Sequence, residues 1–413
     1  MKEIPIRCAV FSSLYGGAIE KSISKFRLQK HAANATINKH RIISFPQKGD
    51  EMAAKKVYEI MHMDRKVAKV SETGHCRIYY KSFMPYNLYL EEAEDIDTLV
   101  NNITNFNYWC ASRVLTLDRK YAKEILNSIG MPQAVTDKER AQIAMSYRCV
   151  SLTDVFWVRL EKETISFREV NLYDNHLENT FIDISLKGRQ YTVQNECLAR
   201  DLSTNGCFPK AWQRIPDGFR LLKNGGEAAV ERELLASQIC RCFDVSQVFY
   251  ERDYFDGEKV SVSSNITSKE YSIVSMEAFE IYAVNHDRNT KKYILSLDRH
   301  NYYMMNIIDY LIGNTDRHWG NWGVLVCNTN NKPVRLYDLM DFNQAFCSYD
   351  CMEGANCQTM FGEAMNQRDA AVRSVKRIGL NQIRDVNREV FCKLPQFYEM
   401  FCKRLALLKS IEI

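Results

Sequence analysis

From residue 51 onward the apolar and polar positions fall into regular patterns. "KKVYEIMHMDRKVAKVS" and "HCRIYYKSF" read as short strands with a turn at "ETGH". "EEAEDIDTLVNNITNFNYWCASRVL" reads as a helix whose acidic start suits the positive end of the helix dipole. "RKYAKEILNSIGM" is a second helix, stopped at Gly130, and "VSLTDVFWVRL" leads into a polar, strand-rich connection to about 190. Residues 1–50 are mixed: "RCAVFSSLY" has strand character, and "KSISKFRLQKHAANATINKH" is basic and weakly periodic.

The pattern changes after residue 200. "STNGCFPKAWQ" is turn-rich, and "GFRLLKNG" is a short strand in which Phe219, Leu221 and Lys223 share one face. A lysine on an apolar strand face either snorkels or meets a buried anion. "GEAAVERELLASQICRCF" is a helix, and "EYSIVSMEAFEIYA" a strand followed by a connection. From 300 the chain reads as mainly helical. In "RHNYYMMNIIDYLIG" residues Met304, Ile307, Ile308 and Leu311 form one stripe, and Gly313 stops the helix. One hairpin interrupts the helices: "GVLVC" and "VRLYDL" flank the turn formers of "NTNNKP". The last fifty residues predict two or three amphipathic helices.

At 413 residues the chain is too long for one ordinary core, so two or three packed subdomains are expected. The apolar share of 46% and charged share of 26% suit a globular protein. No apolar run is long enough to span a membrane, and "MKEIPIRCAVFSSLYGG" lacks a secretory stretch, which points to a cytoplasmic protein. The 14 cysteines are scattered through apolar segments, as free thiols in a reducing compartment are. Cys347, Cys351 and Cys357 match no zinc spacing. A net charge of +4 and pI near 8.3 tolerate an anionic ligand without demanding nucleic acid.

The chemistry-bearing residues gather after the buried helix. "GNTDRHWGN" presents Asp316 and, five residues on, Asn321; the hairpin then leads to "LYDLMDFNQAF" with Asp338 and Asp341. Phosphoryl transfer needs one carboxylate to orient the attacking hydroxyl. It needs an Asn and a second carboxylate to hold magnesium, and a strand Lys, paired with a helix Glu, to neutralise phosphate charge. Asp316, Asn321 and Asp341 fit the first three roles and Lys223 the fourth. Arg317 either supports the loop or binds a phosphate. His318, Trp319 and Trp322 suit packing, and Lys210 competes with Lys223.

"GNTDRHWGNWGVL" followed by "LMDFNQAF", with "SLTDVFWV" and "LSTNGCFPKAW" upstream, resembles the HipA-like serine/threonine kinases of bacteria, over roughly residues 51–360. The resemblance implies an α+β, bilobed protein-kinase-like fold: an additional N-terminal α+β subdomain at 1–190, a strand-rich N-lobe at 191–285 and a helical C-lobe at 286–413. It implies ATP and Mg2+ as cofactors and a protein Ser/Thr hydroxyl as acceptor. Asp316 is then the catalytic Asp, Asn321 and Asp341 the metal ligands, and Lys223 the nucleotide lysine. Ser203, Thr204, Asn205 and Gly206 form the phosphate-facing loop, and Met276, Glu277 and Phe279 lie near the adenine. Three departures bear on this. The phosphate loop has one glycine, the metal Asp is followed by Phe342-Asn343 instead of Phe-Gly, and Asp338 rivals Asp341. Glu227, Glu231 and Glu233 all lie on the right helix, and the match to "ELLAS" favours Glu233. Position alone also raises Ser203 as a self-phosphorylation site.

Two other functions compete. "DRHWGN" also resembles the catalytic loop of phosphatidylinositol kinases, although no basic patch or membrane anchor accompanies it. A nucleotide-binding pseudokinase, or a partner-binding module without turnover, is the third reading. Members of the HipA-like family often act as toxins beside a small DNA-binding antitoxin. No helix-turn-helix is legible in this chain, so such a partner, rather than the chain itself, would meet DNA.

Overall fold

The computed structural model describes residues 56–114, 136–175, 210–216, 218–255, 257–347 and 349–411. The expected helix near 119–131, the phosphate-facing loop Ser203–Gly206 and residues 1–50 lie outside them. The architecture is mixed α+β with three antiparallel sheets.

The first sheet has β1 (Val57–His62), β2 (Arg65–Ser71), β3 (Cys76–Ile78) and β4 (Phe156–Leu160) in the order β3-β2-β1-β4. The stretch read as "KKVYEIMHMDRKVAKVS" divides into two strands because the chain turns at Met63, where φ is 50°. Helix α1 (Ile96–Ala111) begins where Asp95 accepts the Thr98 amide, and α2 (Asp137–Ser146) where Thr136 and Glu139 form a capping box. A short α3 (Phe167–Val170) follows β4. Ile60, Val67, Phe106, Trp109 and Trp157 make a dry core between sheet and helices.

The second sheet carries β5 (Lys210–Ile215), β6 (Gly218–Lys223), β7 (Tyr250–Phe255) and β8 (Glu258–Ser264), ordered β5-β6-β8-β7, with α4 (Glu227–Cys240) packed on β7 and β8. The third is β9 (Tyr271–Ser275), β10 (Gly323–Cys327) and β11 (Lys332–Leu336), ordered β11-β10-β9. Gly323 permits the β9–β10 approach, since a Cβ there would lie 2.0 Å from the Val274 carbonyl oxygen. The helices are α5 (Met276–Asn285), α6 (Thr290–Ile312), α7 (Gln367–Ile378) and α8 (Tyr398–Lys409). The segment after β9 is therefore a helix and not a connection: Ser275 caps it by accepting the Ala278 amide. β9 pairs with β10, and Met276 and Phe279 of α5 share a core with the buried half of α6.

The N-terminal unit touches both of the others. Arg214 on β5 donates to the carbonyls of Leu172, Tyr173 and Asn175, each at 2.8 Å. The Ile273 amide on β9 donates to the Thr153 carbonyl at 2.9 Å. Tyr86 stacks on Phe279 and donates its hydroxyl to the Asn331 carbonyl, while the Asn331 amide donates back to the Ser82 and Met84 carbonyls.

Candidate active site

The C-terminal half of α6 is buried without a break from Tyr302 to Ile312, which explains its apolar text. One charged residue sits in that buried stretch, Asp309. Gly313 ends the helix in the left-handed conformation (φ 58°), where a Cβ would also strike the Tyr349 ring at 2.5 Å. The loop folds back on the helix end: the Asn314 side chain donates to Asp309 Oδ1 at 3.1 Å, and the Asp316 amide donates to Asn314 Oδ1 at 3.2 Å.

Arg317 is 4% exposed, and its guanidinium organises the loop. Nε and Nη2 donate to the two Asp309 oxygens at 3.0 and 3.2 Å, and Nη1 donates to the carbonyls of Asn321 and Met340 at 2.8 Å each. Burial disfavours its charge, but the Asp309 carboxylate outweighs burial and holds the pKa above the ordinary arginine value. Its partners are loop and helix groups, which favours loop support over phosphate binding. Through it, Asn321 and the residue preceding Asp341 are held by a single group.

Asn321 Nδ2 donates to the Asp316 carbonyl at 2.8 Å and to Asp316 Oδ2 at 3.1 Å. The Asp316 side chain is 39% exposed, and His318 Nε2 lies 3.7 Å from Asp316 Oδ1. The Gly320 amide donates to His318 Nδ1 at 3.0 Å. Trp322 is buried in the core, and Trp319 is partly buried with its indole donating to the Gln358 carbonyl.

Lys223, at the end of β6, is 4% exposed. Its ammonium donates to Glu233 Oε1 of α4 at 2.8 Å, to Asp341 Oδ1 at 3.1 Å and to the Tyr250 hydroxyl at 3.3 Å. Burial works against the charge, but Asp341 and Glu233 together outweigh it and keep the lysine pKa well above its ordinary value. The second Glu233 oxygen accepts from the Ser261 hydroxyl on β8. The other α4 glutamates are engaged elsewhere: Glu227 with Lys259, and Glu231 with Arg252 and Lys259. Asp338 pairs with Arg335 at 3.0 Å, whereas Asp341 faces Lys223. Asp341 takes the left-handed conformation itself, at φ 62°.

The structure thus brings Lys223, Glu233 and Asp341 together, and Asp316 with Asn321. The side chains of Met276 and Phe279 are buried in the core, Phe279 against Tyr86, Tyr282 and Tyr293, and Glu277 is exposed. Lys210 pairs with Lys223 in backbone register. Three residues of the site escaped the sequence reading: Asp309, Tyr250 and Ser261. Only Asp309 had a signal, a lone charge inside an apolar stripe.

No family model matches the chain, and no curated protein does. Solved structures similar to it include two kinase-related chains. A Helicobacter pylori proinflammatory kinase, CtkA, aligns at TM-score 0.38 and 16% identity over 49% of this chain and 90% of its own. A chain of the Shewanella oneidensis MR-1 toxin–antitoxin complex of HipA, HipB and operator DNA aligns at TM-score 0.46 and 10% identity over 86% of this chain and 91% of its own. Among the described residues, no helix is long and apolar enough to cross a membrane.

Proposed function

We propose that the chain is a HipA-like, ATP- and magnesium-dependent kinase that transfers a phosphoryl group to a Ser or Thr hydroxyl of a protein. The observation that carries this reading is the ammonium of Lys223, bonded at once to Glu233 and Asp341 from three separate elements. Lys, helix Glu and metal Asp are the groups that position a nucleotide's phosphates in kinases. The strand-rich unit bearing Lys223 and the helical unit bearing Asp316 then act as two lobes.

The donor set suits magnesium. Asn321 Oδ1 and the Asp341 carboxylate are hard oxygen donors, and magnesium characteristically takes one or two protein oxygens beside phosphates and water. Among the described residues no cluster of three or more His, Cys, Asp or Glu forms a protein-only cage. When bound, the ion neutralises charge developing between the β- and γ-phosphates. The three Lys223 protons are committed to Glu233, Asp341 and Tyr250. Glu233, held by Ser261, keeps the lysine on its strand. Asp341 would hold the cation and Lys223 would neutralise a phosphate oxygen, the Lys223–Asp341 contact being the one that would yield. Asp316, the most exposed carboxylate of the set, receives the acceptor hydroxyl. As the new P–O bond forms and the bond to ADP breaks, the hydroxyl proton passes to the Asp316 carboxylate.

The test is incubation with labelled ATP and magnesium, alone and with cell extract, beside Asp316→Ala. Label on protein with the wild type only is the expected result. Label in lipid instead would move the acceptor to the phosphatidylinositol class. No label, with ATP giving no thermal shift, would remove the nucleotide site altogether. A small DNA-binding partner, which the family resemblance implies, is sought by copurification and operator binding of the pair.

A further inference from the structure

The segment before β7 and the segment before Asp341 form a short parallel ladder. The Leu339 amide donates to the Ser246 carbonyl at 2.9 Å, and the Val248 amide donates to the Leu339 carbonyl at 2.9 Å. Two residues beyond Leu339 the ladder has ended, and Asp341 takes φ 62°. The N–H is not left bare. It donates to the Tyr250 hydroxyl at 3.0 Å, and the same oxygen accepts from Lys223 Nζ at 3.3 Å. A tyrosine hydroxyl has two acceptor positions, and these two donors fill both.

Everything around Tyr250 holds that oxygen in place. The residue is 5% exposed, and its ring meets Phe342 edge to face at 6.0 Å. The Lys223 ammonium lies 4.9 Å from the ring centroid. Its own amide donates to Ser237 Oγ on α4 at 3.3 Å. Burial pushes the phenol pKa up, so the oxygen stays a neutral hydroxyl.

We infer that Tyr250 is a positioning residue for the transfer reaction: its hydroxyl fixes the backbone of Asp341 and the ammonium of Lys223 at one spacing. The inference rests on the proposed kinase reading. It accounts for how the two groups keep register when their direct contact yields to cation and phosphate. It also accounts for a metal Asp followed by Phe-Asn in place of Phe-Gly. The left-handed angle falls on Asp341 itself, and a side-chain hydroxyl, not a ladder carbonyl, accepts its amide.

Tyr250→Phe tests this, because phenylalanine keeps both ring contacts and removes only the oxygen. In the ligand-free protein, amide hydrogen exchange of residue 341 should quicken about tenfold, the loss of one ordinary hydrogen bond, with the melting temperature nearly unchanged. In the transfer assay, kcat should fall about tenfold and the magnesium needed for half-maximal rate should rise, with a smaller change in KM for ATP. Ser237→Ala, which unseats the Tyr250 amide, should shift both readouts the same way by less. An active wild type with an unchanged rate and magnesium dependence in Tyr250→Phe overturns the inference, even if exchange at residue 341 quickens. A wild type that transfers nothing overturns the kinase reading, and this inference with it.

Discussion

Replacing Arg317 by methionine removes a guanidinium that is 4% exposed and makes four hydrogen bonds. Asp309, itself 4% exposed, would keep only the Asn314 side-chain amide on its carboxylate. Breaking a buried ion pair from one side costs about 3–5 kcal/mol. The carbonyls of Asn321 and Met340 lose their donor as well, which places the expected loss near the upper end, about 5 kcal/mol. Against a typical net stability of about 5–15 kcal/mol, that is a large fraction. Asp309→Leu should cost a similar amount by stranding the guanidinium. The double variant removes both charges and should recover part of the loss, giving a coupling of about 2–3 kcal/mol in a double-mutant cycle. Urea unfolding followed by tryptophan fluorescence reads this, since Trp319 and Trp322 flank the loop. A coupling below about 0.5 kcal/mol would refute the reasoning, because solvent-screened surface pairs already reach that value.

Five further outcomes are expected. Asp316→Ala should cut phosphoryl transfer about 10²–10⁴-fold, the range for a lost general base, and Asp341→Ala should lose the magnesium-dependent transfer; full activity in both variants would refute the assignment. Asp338→Asn, whose native side chain is taken by Arg335, should stay within about threefold of the wild type, a shift of under 1 kcal/mol; a larger loss in steady-state assays would return Asp338 to the metal. Lys223→Met should lose ATP binding in calorimetry, and wild-type affinity would argue against the site. His62 is buried with Nε2 unpartnered, and burial, helped by Arg65, lowers its pKa from 6.5 to about 4. The unfolded chain therefore binds the proton first, so stability is full above pH 6.5 and falls as pH drops to about 4, by about 3 kcal/mol. His62→Phe, facing Phe83 and Phe156, should flatten melting curves over that window; an unchanged slope would place the proton uptake elsewhere.

Local order was legible where one physical cause dominated. The stripe of Met304, Ile307, Ile308 and Leu311 and the stop at Gly313 appear in α6, because a buried helix face must be apolar and its end needs a left-handed residue. The inward lysine of "GFRLLKNG" is buried, and its partner among three candidate glutamates is Glu233, a choice that depends on where α4 lies over the sheet. What the text hid was tertiary. Met276 and Phe279 look alike whether they line a pocket or fill a core, and here Tyr86, nearly two hundred positions upstream, closes over Phe279. Tyr250 is one aromatic among several in "FYERDYF", and its distinction is a hydroxyl that reaches a turn 91 positions away. Asp309 alone could have been suspected, since a charge on an apolar helix face must have a partner.

The clasp between Tyr86 and Asn331 has a consequence for the protein's birth on the ribosome. The two residues are separated by 245 positions. At synthesis rates of about 5–20 residues per second, Asn331 follows Tyr86 by roughly 12–50 s. Through that interval the nascent N-terminal unit has its own core to fold around, yet the ring of Tyr86 and the carbonyls of Ser82 and Met84 wait without their mates. Contacts of such long range are slow to close. The growing chain therefore carries these groups unmatched until the 331 turn emerges.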